Sequence, residues 1–274
     1  MLMVYKKLET IMNSPYEANY KALLFDTLSK GGLQKVRDNN FAYAQAGVSI
    51  EFRSNFNEFP MLTSKEMFFK NVKYELHWLL SGSTNINYLK NNGVSIWDLW
   101  ADKDGDIGET YGRVLRSFNG IDQFKDAIDD LRTGNESRRL VISMWNPELI
   151  KKGNLAPCYF AFQFVQINKI LSIIVSQRSA DLFIGLPYDM AVFYLLLNLV
   201  AKNLNLFLGK VRINIGNAHI YKEHKEAVEE YIRRPMYNLP WLVNGQDQIT
   251  GFDAASIWVN NYKHEPFIKA KIII

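Results

Sequence analysis

The chain reads as an α+β fold, a mixed β-sheet flanked by helices in a single domain over residues 1–274. Helical spacing dominates the first half, β-branched and aromatic runs crowd the middle, and both recur later without regular βαβ alternation. No repeat, low-complexity tract or Pro/Gly/Ser-rich seam divides the 274 residues, a length that one large domain can fill.

In chain order, Tyr20, Leu23, Leu24, Thr27 and Leu28 predict a helix over 14–29, stopped by Gly31-Gly32. Val48, Ile50 and Phe52 alternate with Ser49 and Glu51, the pattern of a half-buried strand. A long helix is predicted over 65–80, with Phe68, Phe69, Val72, Leu76, Leu79 and Leu80 inward. A short amphipathic helix over 122–131 turns Phe124, Ile128 and Leu131 to one side. Strands are predicted over 140–145, 160–166 and 170–176, the last two joined by a tight turn at Asn168-Lys169. A buried helix over 190–204, a strand over 211–215 and a charged helix over 223–233, ended by Pro235, complete the pattern.

Composition narrows the functional classes. Thirty-two Lys and Arg against 28 Asp and Glu give a net charge of +4, and the basic residues are interspersed with acids. A groove for polymeric nucleic acid usually needs a basic stripe, so none is expected. One cysteine excludes an intramolecular disulfide framework and any zinc site with two thiolates, and favours a reducing compartment. The start, Met1-Leu2-Met3-Val4-Tyr5-Lys6-Lys7, lacks the apolar stretch of a signal peptide. The longest apolar run, 190–201, is too short to span a bilayer. A cytoplasmic protein without metal or membrane is expected.

Several residues suit chemistry, each with a plainer alternative. Cys158 follows Pro157 just ahead of a predicted strand. A lone cysteine is most simply a small buried hydrophobe. A nucleophilic thiolate needs cationic neighbours, and Arg178 lies one predicted hairpin away. Arg178 and Ser179 end a strand and suit a phosphate, or form a solvated strand end. Arg138 and Arg139 reach one site together only if their strand has not yet begun; otherwise surface salt bridges are the better reading. Glu75 sits among Val72, Leu76 and Leu79, so it is either paired or has a raised pKa suited to proton transfer. His219 and Tyr221 alternate and can point the same way towards a sugar hydroxyl, or His219 is a satisfied surface residue. Trp97 and Trp100 either stack a planar cofactor or pack in the core.

Read in order, a set of short segments resembles the thymidylate synthase superfamily over nearly the whole chain. They are Phe59-Pro60-Met61-Leu62-Thr63-Ser64-Lys65, the Glu75 helix, Thr84-Asn85-Ile86, Ile96-Trp97-Asp98-Leu99-Trp100 and Ser137-Arg138-Arg139. Leu155-Ala156-Pro157-Cys158, Gln177-Arg178-Ser179-Ala180-Asp181, Gly185-Leu186-Pro187 and His219-Ile220-Tyr221 continue the series. The resemblance implies a homodimer that binds a pyrimidine nucleoside monophosphate and 5,10-methylenetetrahydrofolate. It makes Cys158 the nucleophile at pyrimidine C6 and Glu75 the organiser of water and protons. It assigns the phosphate to Arg37, Arg178 and Ser179, with Arg138 and Arg139 donated by the other subunit. It assigns the sugar to His219 and Tyr221, the folate to Trp97, Trp100 and Asp181, and the folate's glutamate tail to Lys65.

The departures from the family pattern sharpen the expectation. Asp189 stands where synthases carry Asn. An amide both donates to uracil O4 and accepts from N3–H, whereas a carboxylate only accepts. It therefore suits the cytosine amino group, and N3 once protonated, which is the pattern of the deoxycytidylate hydroxymethylases. Tyr159 replaces the histidine that usually follows the nucleophile. Arg37 is followed by Asp38-Asn39-Asn40-Phe41 rather than a Gly/Thr-rich loop, and the end, Lys271-Ile272-Ile273-Ile274, is more aliphatic than the family's tail. The expected activity is 5-hydroxymethylation of a cytidylate, dCMP ahead of CMP. The alternatives are thymidylate synthesis, cytidylate methylation, CMP hydroxymethylation as in nucleoside-antibiotic pathways, and a non-catalytic nucleotide- or RNA-binding relative.

Overall fold

The computed structural model describes residues 15–36, 40–53, 57–150, 153 and 155–273. Arg37, with Asp38 and Asn39 after it, and the terminal Ile274 lie outside them. In chain order the helices are α1 Pro15–Lys30, α2 Phe69–Ser81, α3 Asn87–Asn91, α4 Gly112–Arg116, α5 Gln123–Arg132, α6 Gly185–Asn203 and α7 Lys225–Arg233. The strands are β1 Gly32–Lys35, β2 Phe41–Arg53, β3 Val141–Ser143, β4 Tyr159–Ile167, β5 Ile170–Asp181, β6 Phe207–Tyr221, β7 Trp241–Asn244 and β8 Ile257–Asn260. The expected α+β class holds: a six-stranded mixed sheet, in the order β1-β2-β6-β5-β4-β3, is flanked by helices. Strands β7 and β8 form a separate hairpin. No helix among the described residues is long and apolar enough to cross a membrane.

Every pairing in the large sheet is antiparallel except β5 with β6. That parallel pair needs a crossover, and α6 supplies it, packing back onto both strands. Met190 to Ala201 of α6 is buried nearly all round, with only Asn198 partly exposed. Each buried Leu or Phe there contributes about 1.5–3 kcal/mol, so α6 is the anchor of the core. Helix α1 covers β2 on the same side. The opposite sheet face carries Ser49, Glu51, Ser172, Ser176, Lys210, Arg212 and Asn214, and it stays partly exposed. There Lys210 and Arg212 both meet Glu51, at 3.0 and 3.2 Å.

Several boundaries differ from the sequence-based expectation for identifiable reasons. Helix α6 starts at Gly185, ahead of the expected 190, because Pro187 falls in its first turn, where a missing N–H costs nothing. Helix α2 starts at Phe69 rather than 65 because the preceding backbone is held extended. Tyr262 Oη accepts from Met67 N at 2.8 Å, Tyr188 Oη accepts from Phe68 N at 3.1 Å, and Phe68 has φ −96° and ψ 100°. Strands β2 and β6 extend well past their alternating cores, and the ladder from Ala42↔Tyr221 to Arg53↔Lys210 carries their small and polar ends. The turn at Asn168-Lys169 has φ of 50° and 62°, the double left-handed geometry of a two-residue hairpin turn.

One buried carboxylate ties α1 to the segment that leads into α2. Glu17 is fully buried and accepts from Thr63 N, Thr63 Oγ1, Ser64 N and Tyr231 Oη, the last three at 2.5, 2.8 and 2.7 Å. Such charge-assisted bonds are the strong class, and they fix the 63–65 segment against α1 and α7.

Candidate active site

Cys158 precedes β4 by one residue, and its partners come from both sides of it. Arg178 N on β5 donates to Cys158 O at 2.8 Å, which seats the two residues on adjacent strands as the predicted hairpin requires. The Arg178 guanidinium donates to Pro157 O and Ala156 O, both at 2.9 Å, and so clamps the turn that presents the thiol. Cys158 N donates to Tyr111 Oη at 3.0 Å. Tyr111 has φ 42° and ψ −108°, a backbone conformation that costs a non-glycine residue energy. Burial pushes the Cys158 thiol up and the Asp189 carboxylate pushes it further, while Arg178 and a hydrogen bond with Tyr111 pull it down. The net direction is upward.

Two acids from different helices share the space beside it. Glu75 projects from α2 and accepts from Trp97 Nε1 at 2.9 Å. Burial, and then the charge of Asp189, raise its pKa to about 8, while the Trp97 bond opposes them. The two sequence-level alternatives for Glu75 are therefore both realised: it is hydrogen-bonded, and it is displaced into the range of proton transfer. Asp189 lies on α6 and accepts from Gln177 Nε2 at 2.6 Å. Burial raises its pKa to about 7, against the pull of the Gln177 bond, with Asp181 adding to the rise. Tyr159 packs edge-on against Tyr111 and Phe193, and its phenol is raised well above its ordinary value by burial and then by Glu75, Asp189 and Cys158. A thiol and two acids with displaced proton affinities, gathered in one place, suit covalent chemistry with proton transfer near neutral pH.

The ends of β5 and β6 form the neighbouring rim. Their parallel register sets Ser179 beside Asn217 and Asp181 beside His219. His219 Nδ1 lies 3.4 Å from Ser179 Oγ and 3.2 Å from Asn217 Oδ1, and the His219 and Tyr221 rings meet edge-on at 5.1 Å. Burial lowers the pKa of His219 while Asp181 raises it, and the net direction is down. His219 and Tyr221 lie within β6 rather than after it, two residues apart on the same side. Asp181 uses Oδ1 to accept from Phe183 N and Ile184 N at 2.9 and 3.2 Å, which shapes the entry into α6.

The remaining expected residues divide. Trp97 is 7% exposed and packs against Trp78, Trp100 and Tyr111, so it belongs to the core as well as to Glu75. Trp100 is partly exposed beside it. Lys65 is buried: its Nζ donates to Phe183 O at 2.6 Å and lies 3.8 Å from the Phe183 ring centre. Burial lowers its pKa to about 7 against the opposing charges of Asp181 and Glu17. Arg138 and Arg139 are exposed and precede β3, which begins at Val141, so the strand has indeed not begun there. They stand at the β3 edge, two strands from Arg178.

Two site residues escaped the sequence reading. Gln177 was legible in principle, as a polar residue closing the core-facing row Leu171, Ile173 and Val175. Tyr111 sits in an irregular segment with no periodic signal, and nothing local marks it.

Comparison with known proteins gives one consistent result. A profile of the family described as "Thymidylate synthase" matches residues 18–274. A protein named thymidylate synthase from Francisella tularensis subsp. holarctica is 41% identical over 233 residues, covering 79% of this chain and 85% of that protein. One of the same name from Francisella philomiragia subsp. philomiragia is 40% identical with the same coverage.

Proposed function

The chain belongs to the thymidylate synthase family, whose enzymes carry out folate-dependent one-carbon transfer to pyrimidine C5, and from that premise we propose that its pyrimidine is a cytidylate, dCMP ahead of CMP, and its product a 5-hydroxymethylcytosine nucleotide. The observation that carries this reading is Asp189: an acid, beside Cys158 and Glu75, at the position where the family's synthases carry Asn. An ionised carboxylate accepts from the cytosine amino group and repels uracil O4. A buried acceptor facing another acceptor costs about 1–3 kcal/mol, a factor of roughly ten to a hundred in discrimination.

In this reading the Cys158 thiol gives up its proton as Sγ bonds to C6, the C5–C6 electron pair shifts to C5 and the ring, and N3 takes up a proton in exchange. Tyr111, hydrogen-bonded at the thiol, steadies the anion as it forms. Asp189 meets the proton that N3 gains as the adduct develops, so charge is placed where charge appears. 5,10-Methylenetetrahydrofolate supplies the carbon as a co-substrate, and C5 bonds to it. Loss of the C5 proton, with Glu75 handling it, expels tetrahydrofolate and leaves an exocyclic methylene at C5; water oriented by Glu75 adds to that methylene, and the returning electron pair breaks the Cys158–C6 bond and restores the C5–C6 double bond. Water addition keeps the carbon at the formaldehyde oxidation level, so no hydride is drawn from the folate. Arg178 and Ser179 hold the phosphate with Arg37, and Arg138 and Arg139 of a second copy complete it. His219 and Tyr221 hold the sugar. Trp97, Trp100 and Asp181 line the folate side, where Asp181 engages only Oδ1 among the described residues and leaves Oδ2 for a ring donor. Lys65 stands behind that wall. The half-open sheet face, with Glu51, Lys210 and Arg212 on it, suits the second copy.

A second reading, thymidylate synthesis from dUMP, is favoured by the names of the relatives at 40 and 41% identity. The retention of both Trp97 and Trp100 is compatible with it. Incubation of the chain with dCMP, dUMP or CMP plus methylenetetrahydrofolate, with products identified by mass, separates the readings. Hydroxymethylated dCMP is expected, and Asp189→Asn should move turnover to dUMP. Turnover of dUMP alone by the unaltered chain overturns the cytidylate reading.

A further inference from the structure

We propose that Gln177 is a positioning residue for pyrimidine choice: by donating its amide N–H to Asp189 Oδ2 it holds that carboxyl in place as an acceptor. The inference rests on the reading of Asp189 as the pyrimidine-facing residue.

Gln177 occupies a position that the fold would otherwise give to an aliphatic side chain. It follows Leu171, Ile173 and Val175 on the core-facing side of β5 and is 1% exposed. Tyr159 and Ile215 flank it across the neighbouring strands. An amide in that row loses its hydration, and only one end of it is repaid: Nε2 reaches Asp189, while Oε1 has no partner among the described residues. A half-satisfied buried amide is a cost that packing does not explain, whereas control of the neighbouring carboxyl does.

The surroundings of Asp189 make that one donor decisive. Glu75 faces it from α2, Asp181 from the end of β5, Cys158 and Tyr159 from the start of β4, and Tyr111 from the segment ahead of α4. Burial and the charge of Asp181 oppose its ionisation, and Gln177 is its one hydrogen-bond donor among the described residues. An N–H favours an anionic or carbonyl oxygen over a hydroxyl oxygen, so Gln177 supports the carboxylate and disfavours a proton on Oδ2. Without it Asp189 stays neutral over a wider pH range. A neutral carboxyl can donate to uracil O4, and the discrimination against uracil weakens.

The test uses the full chain with Gln177→Met, which keeps volume and removes the donor, and Gln177→Glu, which must share a proton with Asp189. Titration of the Asp189 carboxyl is followed by infrared difference spectroscopy, with Asp189→Asn as the blank. The kcat/KM ratio of dCMP to dUMP is measured across the same pH range. In Gln177→Met the carboxyl midpoint should rise by about one to two pH units and the preference for dCMP should fall about ten- to a hundred-fold. Gln177→Glu should shift both in the same direction. A purely structural role would instead lower stability, and slow both substrates alike, with midpoint and ratio unmoved; that result overturns the proposal. Should Gln177→Met fail to fold, the Gln177→Glu midpoint makes the same decision. Turnover of dUMP alone by the unaltered chain would sink the cytidylate reading, while the infrared midpoint would still judge the link from Gln177 to Asp189.

Discussion

Two sets of acids lie inside this molecule under opposite conditions. Glu17 receives donors from Thr63, Ser64 and Tyr231 and fastens α1 to the segment entering α2. Glu75 receives one donor, from Trp97, and Asp189 one, from Gln177, and the charge of Asp189 adds to the cost of ionising Glu75. Donors supplied in excess turn a carboxylate into a structural rivet. Donors withheld leave its proton affinity near neutrality, at about 8 for Glu75 and about 7 for Asp189. The same side-chain chemistry thus serves architecture in one region and reactivity in another, and the number of N–H and O–H groups aimed at it decides which.

Substitutions at the three acids should sharpen that contrast. The largest effect is expected from Glu75→Gln, which should cut kcat about a hundred- to ten-thousand-fold with little loss of stability, as read by steady-state kinetics beside urea denaturation. Glu17→Ala should do the reverse. It strands Thr63 N, Ser64 N and Tyr231 Oη and should cost about 3–5 kcal/mol in urea denaturation. Equal loss of activity and stability in both variants would erase the distinction. The smallest effect concerns Asp189→Asn and has a defined sign. The folded pKa of about 7 exceeds the unfolded value of about 3.9, so the folded chain binds the extra proton between them. The stabilisation is complete below about pH 4 and is lost as the pH rises to about 7. Asp189→Asn should remove that slope and be the more stable chain at pH 8, measured by denaturation at several pH values.

Much of this organisation was legible in the residues. The α+β class followed from the order of periodicities, and the Asn168-Lys169 turn from its composition. Glu75 announced itself as an acid on a partly apolar helix face. Cys158 and Arg178 came together because a single hairpin separates them. Less accessible were features set by tertiary partners. Residues 65–68 carry a helical pattern but are held extended by Tyr188 and Tyr262, which are distant in sequence. The β7–β8 hairpin and the short β1 have no alternation long enough to read. Lys65 is polar and would be placed outside by composition, yet the Phe183 carbonyl and ring draw it in. Tyr111 owes its position to a strained backbone that no local pattern encodes.

The parallel pairing of β5 with β6 has a mechanical consequence. Arg178, Ser179 and Asp181 leave one strand at the same rim where Asn217, His219 and Tyr221 leave the other, and an unbroken ladder runs from Gln177↔Ile215 to Asp181↔His219 between them. The two groups of side chains are therefore mounted on a single stiff plate. Any clamping motion around a guest must be made by pieces attached to that plate, such as the tail that His224 Nε2 meets at Lys271 O, 2.8 Å away.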